Sequence, residues 1–365
     1  MIIFSKTSIL ALSAALALSA CGEEMAKEAE QEMVGTDYTV VTPTKASPEE
    51  LPTWVIPGIP ESAEAYYGPD SYHIIAQTQD PMALRPSHDR AAGGALTWIF
   101  TDDGKKKWQV NDHGQDACSY ITPDGKHVVY TSTRDNMDMP VGNWSDDSEY
   151  PQGAELYYAD LDGSNVKRLT NNPYYDAEVS VSPDGTKVVF GRQIDGMMDL
   201  WMMNIDGTGE RQLTFTPDNQ EGAPFFLPDN KTISTRWWKQ SEKGKTGRMT
   251  MMTIATLDTE TGEMTEHTDG DWMHWAPFPT PDGEHYVYVE PLEDNPRNWE
   301  VFMGKLGGDD SDRIRLTFNE SFDGFPSVSP DGTKLLFTRS MGDGFMSDLF
   351  TMVMDISSLN VGPKK

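Results

Sequence analysis

Six times along the chain a Pro-Asp pair recurs, and seven residues before each pair stand Ser62, Asp116, Asp176, Glu221, His274 and Asp323. Five of these six side chains can ionise and four are acids. Carboxylates gathered at one recurring position suit a divalent cation such as calcium, ordered water, or the Lys or N-terminal amine of a partner, all of which are held by clustered oxygens. A second recurring position carries Arg134, Arg192, Arg236 and Arg339, in the repeats that hold Asp116, Asp176, Glu221 and Asp323. A guanidinium beside a carboxylate makes a bidentate pair. Two readings therefore stand: an acidic binding ring, or carboxylates paired internally. His274 has no arginine at the matching position.

The elements that must position these residues are written in the repeat. The pairs fall at 69–70, 123–124, 183–184, 228–229, 281–282 and 330–331, spaced by 45 to 60 residues. A β-rich run follows each, such as "KHVVYTST", "TKVVFGR" or "TKLLFTRS", and a second apolar run follows that, such as "ELYYADL" or "DLWMMNI". Several units close with "KRLT", "RQLT" or "RIRLT" after an Asp-Gly turn. Each unit reads as strand a, Pro-Asp turn, strand b, loop, strand c, turn, strand d. Four antiparallel strands repeated six times predict an all-β fold, a six-bladed β-propeller. The ring position begins strand a, the innermost strand, and is expected at one mouth of the central channel. Antiparallel strand b brings the arginines back to the same face. The motif aspartates Asp124, Asp184, Asp229, Asp282 and Asp331 are expected to be structural, because an Asp that accepts backbone N–H bonds in a tight turn is needed once per blade.

The sixth unit lacks a fourth strand, which would leave an open edge. Either "YTVVTP" (38–43) or "TWVIPG" (53–58) is expected to supply it from the N-terminal side. Long b–c loops at 78–94, 134–152 and 239–247 fall on the mouth face and mark it as the recognition surface. Trp144, Trp237, Trp238, Trp272 and Trp275 accompany them, and Lys239, Lys243, Lys245 and Arg248 form a basic cluster.

A net charge of −29 disfavours nucleic acid and anionic lipid surfaces as partners. Residues 1–20 carry one Lys and an apolar run too short to span a bilayer well. The "LSAC" that ends them resembles a bacterial lipoprotein signal, which implies cleavage after Ala20 and diacylation of Cys21. Gly22 replaces the Asp that favours inner-membrane retention in enterobacterial lipoproteins, so the resemblance points to the outer membrane, facing the periplasm. Residues 21–61 read as an acidic, Pro-rich tether with the ring-closing strand, 62–358 as the propeller and 359–365 as a tail. Cys118 is the only cysteine besides Cys21, so no internal disulfide is expected in the mature chain.

The stretches "SPDGTKVVF", "LWMMNIDGTGERQLT" and "FDGFPSVSPDGTKLLFTRS" resemble the repeats of TolB-like propellers, over about residues 62–357. The resemblance implies the six-bladed fold. No counterpart of the α/β domain that precedes the TolB propeller is expected, so the resemblance does not carry TolB's partners across. The sequence has no G-x-S-x-G elbow, no H-E-x-x-H and no closely spaced pair among its seven histidines. The expectation is a monomeric, non-enzymatic envelope lipoprotein that needs no cofactor. It would bind a protein, peptide or glycan at the channel mouth and touch the membrane only through its anchor. The alternative is a metal-dependent lyase or hydrolase acting on glycans through the acidic channel.

Overall fold

The computed structural model describes residues 49–79, 95–243, 249–308, 312–344 and 346–364. The signal, Cys21, the tether to residue 48 with its segment 38–43, most of the first long loop, Lys245 and Arg248 lie outside the described residues.

The described residues form six four-stranded antiparallel sheets, the blades of a β-propeller. Blade 2 shows the pattern: strand a Asp116–Ile121, b His127–Ser132, c Glu155–Asp160 and d Lys167–Arg168, each paired with the next. Strand a is Ser62–Tyr67 in blade 1, Tyr175–Val181 in blade 3, Asn219–Phe226 in blade 4, Trp275–Pro279 in blade 5 and Asp323–Val328 in blade 6. β-Branched and aromatic residues fill the strands, as in His127–Ser132 and Lys187–Ile194, because their side chains pack well on a pleated surface.

Blade 6 takes its outer strand from the other end of the chain. Thr53–Val55 pairs with Leu349–Asp355, opposing Thr53 to Met354 and Val55 to Met352. Blades 6 and 1 are also joined where the Ser62 hydroxyl, on the inner strand of blade 1, shares a hydrogen bond of 2.7 Å with Thr351 on strand c of blade 6, and, between the inner strands, where Ser327 Oγ donates to Ala65 O at 2.7 Å.

The core lies between blades. Val287 and Val289 of blade 5 pack with Leu335, Phe337 and Met352 of blade 6, and Ile75 and Ile99 of blade 1 with Val128 and Tyr130 of blade 2. Each such side chain contributes about 1.5–3 kcal/mol by leaving water.

The Pro-Asp turns repeat one construction. Asp184 Oδ1 accepts from Ser182 Oγ at 2.6 Å and Thr186 N at 2.9 Å, and Asp124, Asp282 and Asp331 accept from the equivalent groups of their own turns. Asp229 accepts from Lys231 N and Thr232 N. Those bonds hold the Asp184 carboxyl below the usual carboxylate range. The next residue is left-handed, Gly185 at φ 73°, and blade 4 uses Asn230 at φ 64°, one of the few other residues that tolerate that region.

Candidate functional site

The ring residues do not line an open channel. Ser62, Asp116, Asp176, Glu221, His274 and Asp323 are at most 3% exposed. They sit in the seams between blades, against the polar residues that begin strand c of the preceding blade. Asp116 Oδ2 accepts from Thr97 N and Oγ1, both at 2.8 Å, and its Oδ1 from Asn111 Nδ2 at 2.7 Å. Asn172 bridges one seam, giving its N–H to Glu155 Oε1 at 2.6 Å and its amide to Asp176 Oδ2 at 2.8 Å. Glu221 accepts from Thr214 Oγ1 and from Thr216 Oγ1. Asp323 accepts from Asn319 at 3.2 Å beside Glu300, which takes the Thr317 hydroxyl at 2.5 Å. His274 packs on the Tyr288 ring, with Nε2 3.7 Å from Glu290.

Burial pushes Asp116 up to about 6 against the hydrogen bonds it accepts. It pushes Glu221 up to about 7, with the charge of Asp199 adding to it. Glu300 rises to about 7 through burial and the neighbouring Asp323.

Two of the four arginines meet the acid of their own blade. Arg192 grips Asp176 in two bonds of 2.6 and 2.8 Å and extends to Glu210. Arg339 grips Asp323 at 2.6 and 2.9 Å and also reaches Glu50 at 3.1 Å. Arg134 and Arg236 do not follow, and register is the reason. Asp176 lies opposite Arg192 and Asp323 opposite Arg339, but Asp116 lies opposite Ser132 and Glu221 opposite Trp237. Arg134 therefore donates to Asn111 Oδ1 and Tyr130 OH, at 2.7 and 2.8 Å. Arg236, opposite Gly222, crosses to Glu178 of blade 3 at 2.8 Å.

The channel is lined by a different set. In every blade the pairing of strands a and b slips just after the ring residue. Two residues past the ring position Glu64, Cys118, Glu178, Ala223, Ala276 and Phe325 have φ of 52°, 20°, 56°, 50°, 51° and 51°. This bulge breaks the simple alternation of a strand and turns those six side chains inward. They surround an upper chamber of about 60 Å³. Glu64 Oε2 accepts from Cys118 N at 3.1 Å and from its thiol at 3.2 Å. Glu178 accepts from Ala223 N at 2.5 Å and from Arg236 Nη2 at 2.8 Å. Burial raises the Glu64 carboxyl, and Glu178's charge adds to the rise while the Cys118 bonds and the more distant Arg236 charge oppose it. The Cys118 thiol is free and is pushed well up, by burial first and then by both glutamates.

Two residues further along the inner strands stand Tyr66, Tyr120, Ser180, Phe225, Phe278 and Ser327. Tyr66 of blade 1 meets Phe225 of blade 4, on the opposite side of the ring, with centroids 5.4 Å apart. Phe278 lies 4.9 Å from Phe225 and 6.0 Å from Tyr66, and Tyr120 lies 6.2 Å from Tyr66. An aromatic septum thus stops the channel at mid-height. Below it opens an apolar vestibule of about 420 Å³, rimmed by the six motif prolines and touched by Pro363 of the tail.

Above the chamber the 134–152 loop covers part of the mouth. Tyr150 stacks on Tyr175 at 4.4 Å, and Trp144 Nε1 donates to Gln115 Oε1 at 3.3 Å. Gln193 donates to Asp147 O at 2.7 Å, and Lys243, from the blade 4 loop, pairs with the Asp147 carboxylate. A cleft of about 750 Å³ lies beside this loop, between Tyr150, Tyr174, Asp147, Gln193 and Asp195. Of the five tryptophans noted in the sequence, Trp275 reaches the chamber. Among the described residues no group of three or more His, Cys, Asp or Glu is arranged to hold a metal ion. No described helix is long and apolar enough to cross a membrane.

No family model matches the chain. It is 27% identical over 236 residues to an uncharacterized protein of Agrobacterium fabrum, covering 63% of this chain and 69% of that protein. TolB of Acinetobacter baumannii superposes with a TM-score of 0.54 at 18% identity, over 79% of this chain and 64% of the TolB chain. The chain thus spans less than two thirds of that TolB structure. Oligogalacturonate lyase of Vibrio parahaemolyticus superposes with a TM-score of 0.50 at 11% identity, over 86% of this chain and 96% of the lyase. Identities this low show the fold and leave the chemistry to the site.

Proposed function

We propose that the protein is a non-catalytic binding scaffold of the bacterial cell envelope. It holds a protein, peptide or glycan partner at the loop-bearing mouth of its propeller. The observation that carries this reading is the septum of Tyr66, Tyr120, Phe225 and Phe278. A channel stopped at mid-height can seat a chain end or a side chain but cannot pass one through. The ring acids support the same reading, because they are committed to blade-to-blade hydrogen bonds and ion pairs. In this scheme residues 1–20 are a signal peptide, Cys21 carries the lipid, and the stretch from Cys21 to the ring-closing strand Thr53–Val55 tethers the propeller to the outer membrane.

The test places a photo-crosslinking residue in the full chain, in cells. Position Tyr174 beside the mouth cleft is compared with Lys126 in the Pro-Asp turn at the other end of the blade. A defined adduct from position 174 and none from 126 is expected; equal labelling from both would sink the reading. The second reading is a metal-dependent enzyme acting on glycans. What favours it is the pair of chamber carboxylates, Glu64 and Glu178, in a fold shared with a lyase of oligogalacturonate. Stoichiometric divalent metal in the purified full chain, together with cleavage of a polyuronide, would put that reading in place of the first.

A further inference from the structure

We propose that the upper chamber receives the aminoacyl terminus of a peptide chain, with its ammonium between Glu64 and Glu178 and the adjoining carbonyl oxygen on Arg236. The proposal rests on the scaffold reading and deepens it by naming the chemical group that is recognised.

Charge is the first argument. Two glutamates and one arginine leave the chamber one negative charge in excess. Glu178 already has Arg236 and the Ala223 N–H, whereas the donors around Glu64, the N–H and S–H of Cys118 and the amide of Gln77, are all neutral. The missing group at Glu64 is a cation. The second argument is Arg236, which is 5% exposed and lines the chamber while its Nε and Nη1 have no hydrogen-bond partner. Buried donors left unmet cost about 1–3 kcal/mol, more when charged. A ligand must therefore bring an acceptor as well as a cation. An anion would meet two carboxylates, and a bare metal ion would leave the arginine donors unmet. A primary ammonium one carbon from a carbonyl supplies both groups in one rigid unit.

Size and access agree. At roughly 10–15 Å³ for each water-sized position, the 60 Å³ chamber has about four to six places. That is room for an ammonium, its Cα, a carbonyl and a small side chain against Trp275 and Phe325. The septum below makes the chamber blind, so a chain enters by its end. Gly222 leaves the space that lets Arg236 lie against Glu178: a Cβ there would fall 2.3 Å from both Arg236 Nη1 and Glu178 Oε2.

The experiment is calorimetric titration of the full chain in detergent with the tripeptide amide Gly-Ala-Ala and with its N-acetylated form. The free amine should bind, and acetylation should weaken binding by at least thirtyfold. Glu64→Gln should weaken the free-amine peptide at least tenfold with an unchanged melting temperature. The acetylation comparison uses the unaltered protein, so it decides the matter even if the variant folds poorly. Equal binding of the two peptides, or binding of neither, overturns the proposal. A mouth-face adduct in cells with no amine binding removes this inference alone. Amine binding without any mouth-face adduct removes the partner reading instead.

Discussion

Arg339→Met should be the most damaging single change at the inter-blade seams, because one guanidinium serves two buried acids. Arg339 is 6% exposed and bonds Asp323 (0%) at 2.6 Å and Glu50 (side chain 1%) at 3.1 Å. Glu300, also 0% exposed, adds to the local negative charge. Methionine keeps most of the packing and removes the charge. Breaking a buried pair from one side costs about 3–5 kcal/mol, since the partner charge stays behind without compensation. With an unfolding entropy of about 2.1 cal/mol/K per residue, over the roughly 300 described residues, that is a fall in melting temperature of about 5–8 °C. Arg134→Met is the control. Arg134 is half-buried and donates to the neutral Asn111 and Tyr130, so its loss should cost only about 1–2 kcal/mol. Adding Asp323→Asn to Arg339→Met should recover part of the loss by removing the stranded charge. The pH dependence carries a sign. Burial already raises the Asp323 carboxyl, and Arg339 is what opposes the rise. Without Arg339 the folded state holds a proton there that the unfolded chain releases. The penalty of Arg339→Met should then shrink as pH falls toward the unfolded carboxylate value of about 4. Urea denaturation at pH 5 and pH 8 measures all of this. An Arg339→Met cost no larger than that of Arg134→Met, or one independent of pH, would refute the reasoning.

Glu221, at about 7, holds a proton in the folded state that the unfolded chain loses near 4.5, so its contribution is full below about 4.5 and is lost as pH rises through 7. The span is about 3 kcal/mol at 1.36 kcal/mol per unit; Glu221→Gln should flatten the decline in urea stability between pH 5 and 8, and an unchanged slope would count against the assignment. Phe225→Ala should cost about 3–5 kcal/mol and open the septum between chamber and vestibule. Indole should then bind the variant more tightly than the parent by calorimetry, and equal binding would mean that the septum closes by other side chains.

The blades could be read in the sequence because each is punctuated by the same local chemistry. A Pro-Asp turn followed by Gly or Asn, which tolerate positive φ, is a short-range requirement, and the chain states it in five of its six blades, with Ser71 taking the left-handed place in the other. The position of the ring acids was equally legible, since it is a fixed offset from that turn. Where those acids point was not. Period-two alternation puts residues 116, 118 and 120 on one face. The bulge at residue 118 separates them, sending Asp116 into a seam while Cys118 and Tyr120 face the channel. A bulge usually announces itself with glycine, yet these six left-handed positions hold Glu, Cys, Glu, Ala, Ala and Phe, so composition gives no warning. Two of the four arginines fall out of register with the acid of their blade, Arg134 by two residues and Arg236 by one, and Arg236 passes Gly222 to another blade's glutamate. The septum joins Tyr66 to Phe225 across the full width of the ring, a contact no local pattern encodes. The repeat thus specifies a scaffold, and the departures from it specify the site: a glycine where the preceding blade holds Ala177 gives Arg236 its path to Glu178, and Arg236 lines the chamber with its Nε and Nη1 left without a hydrogen-bond partner.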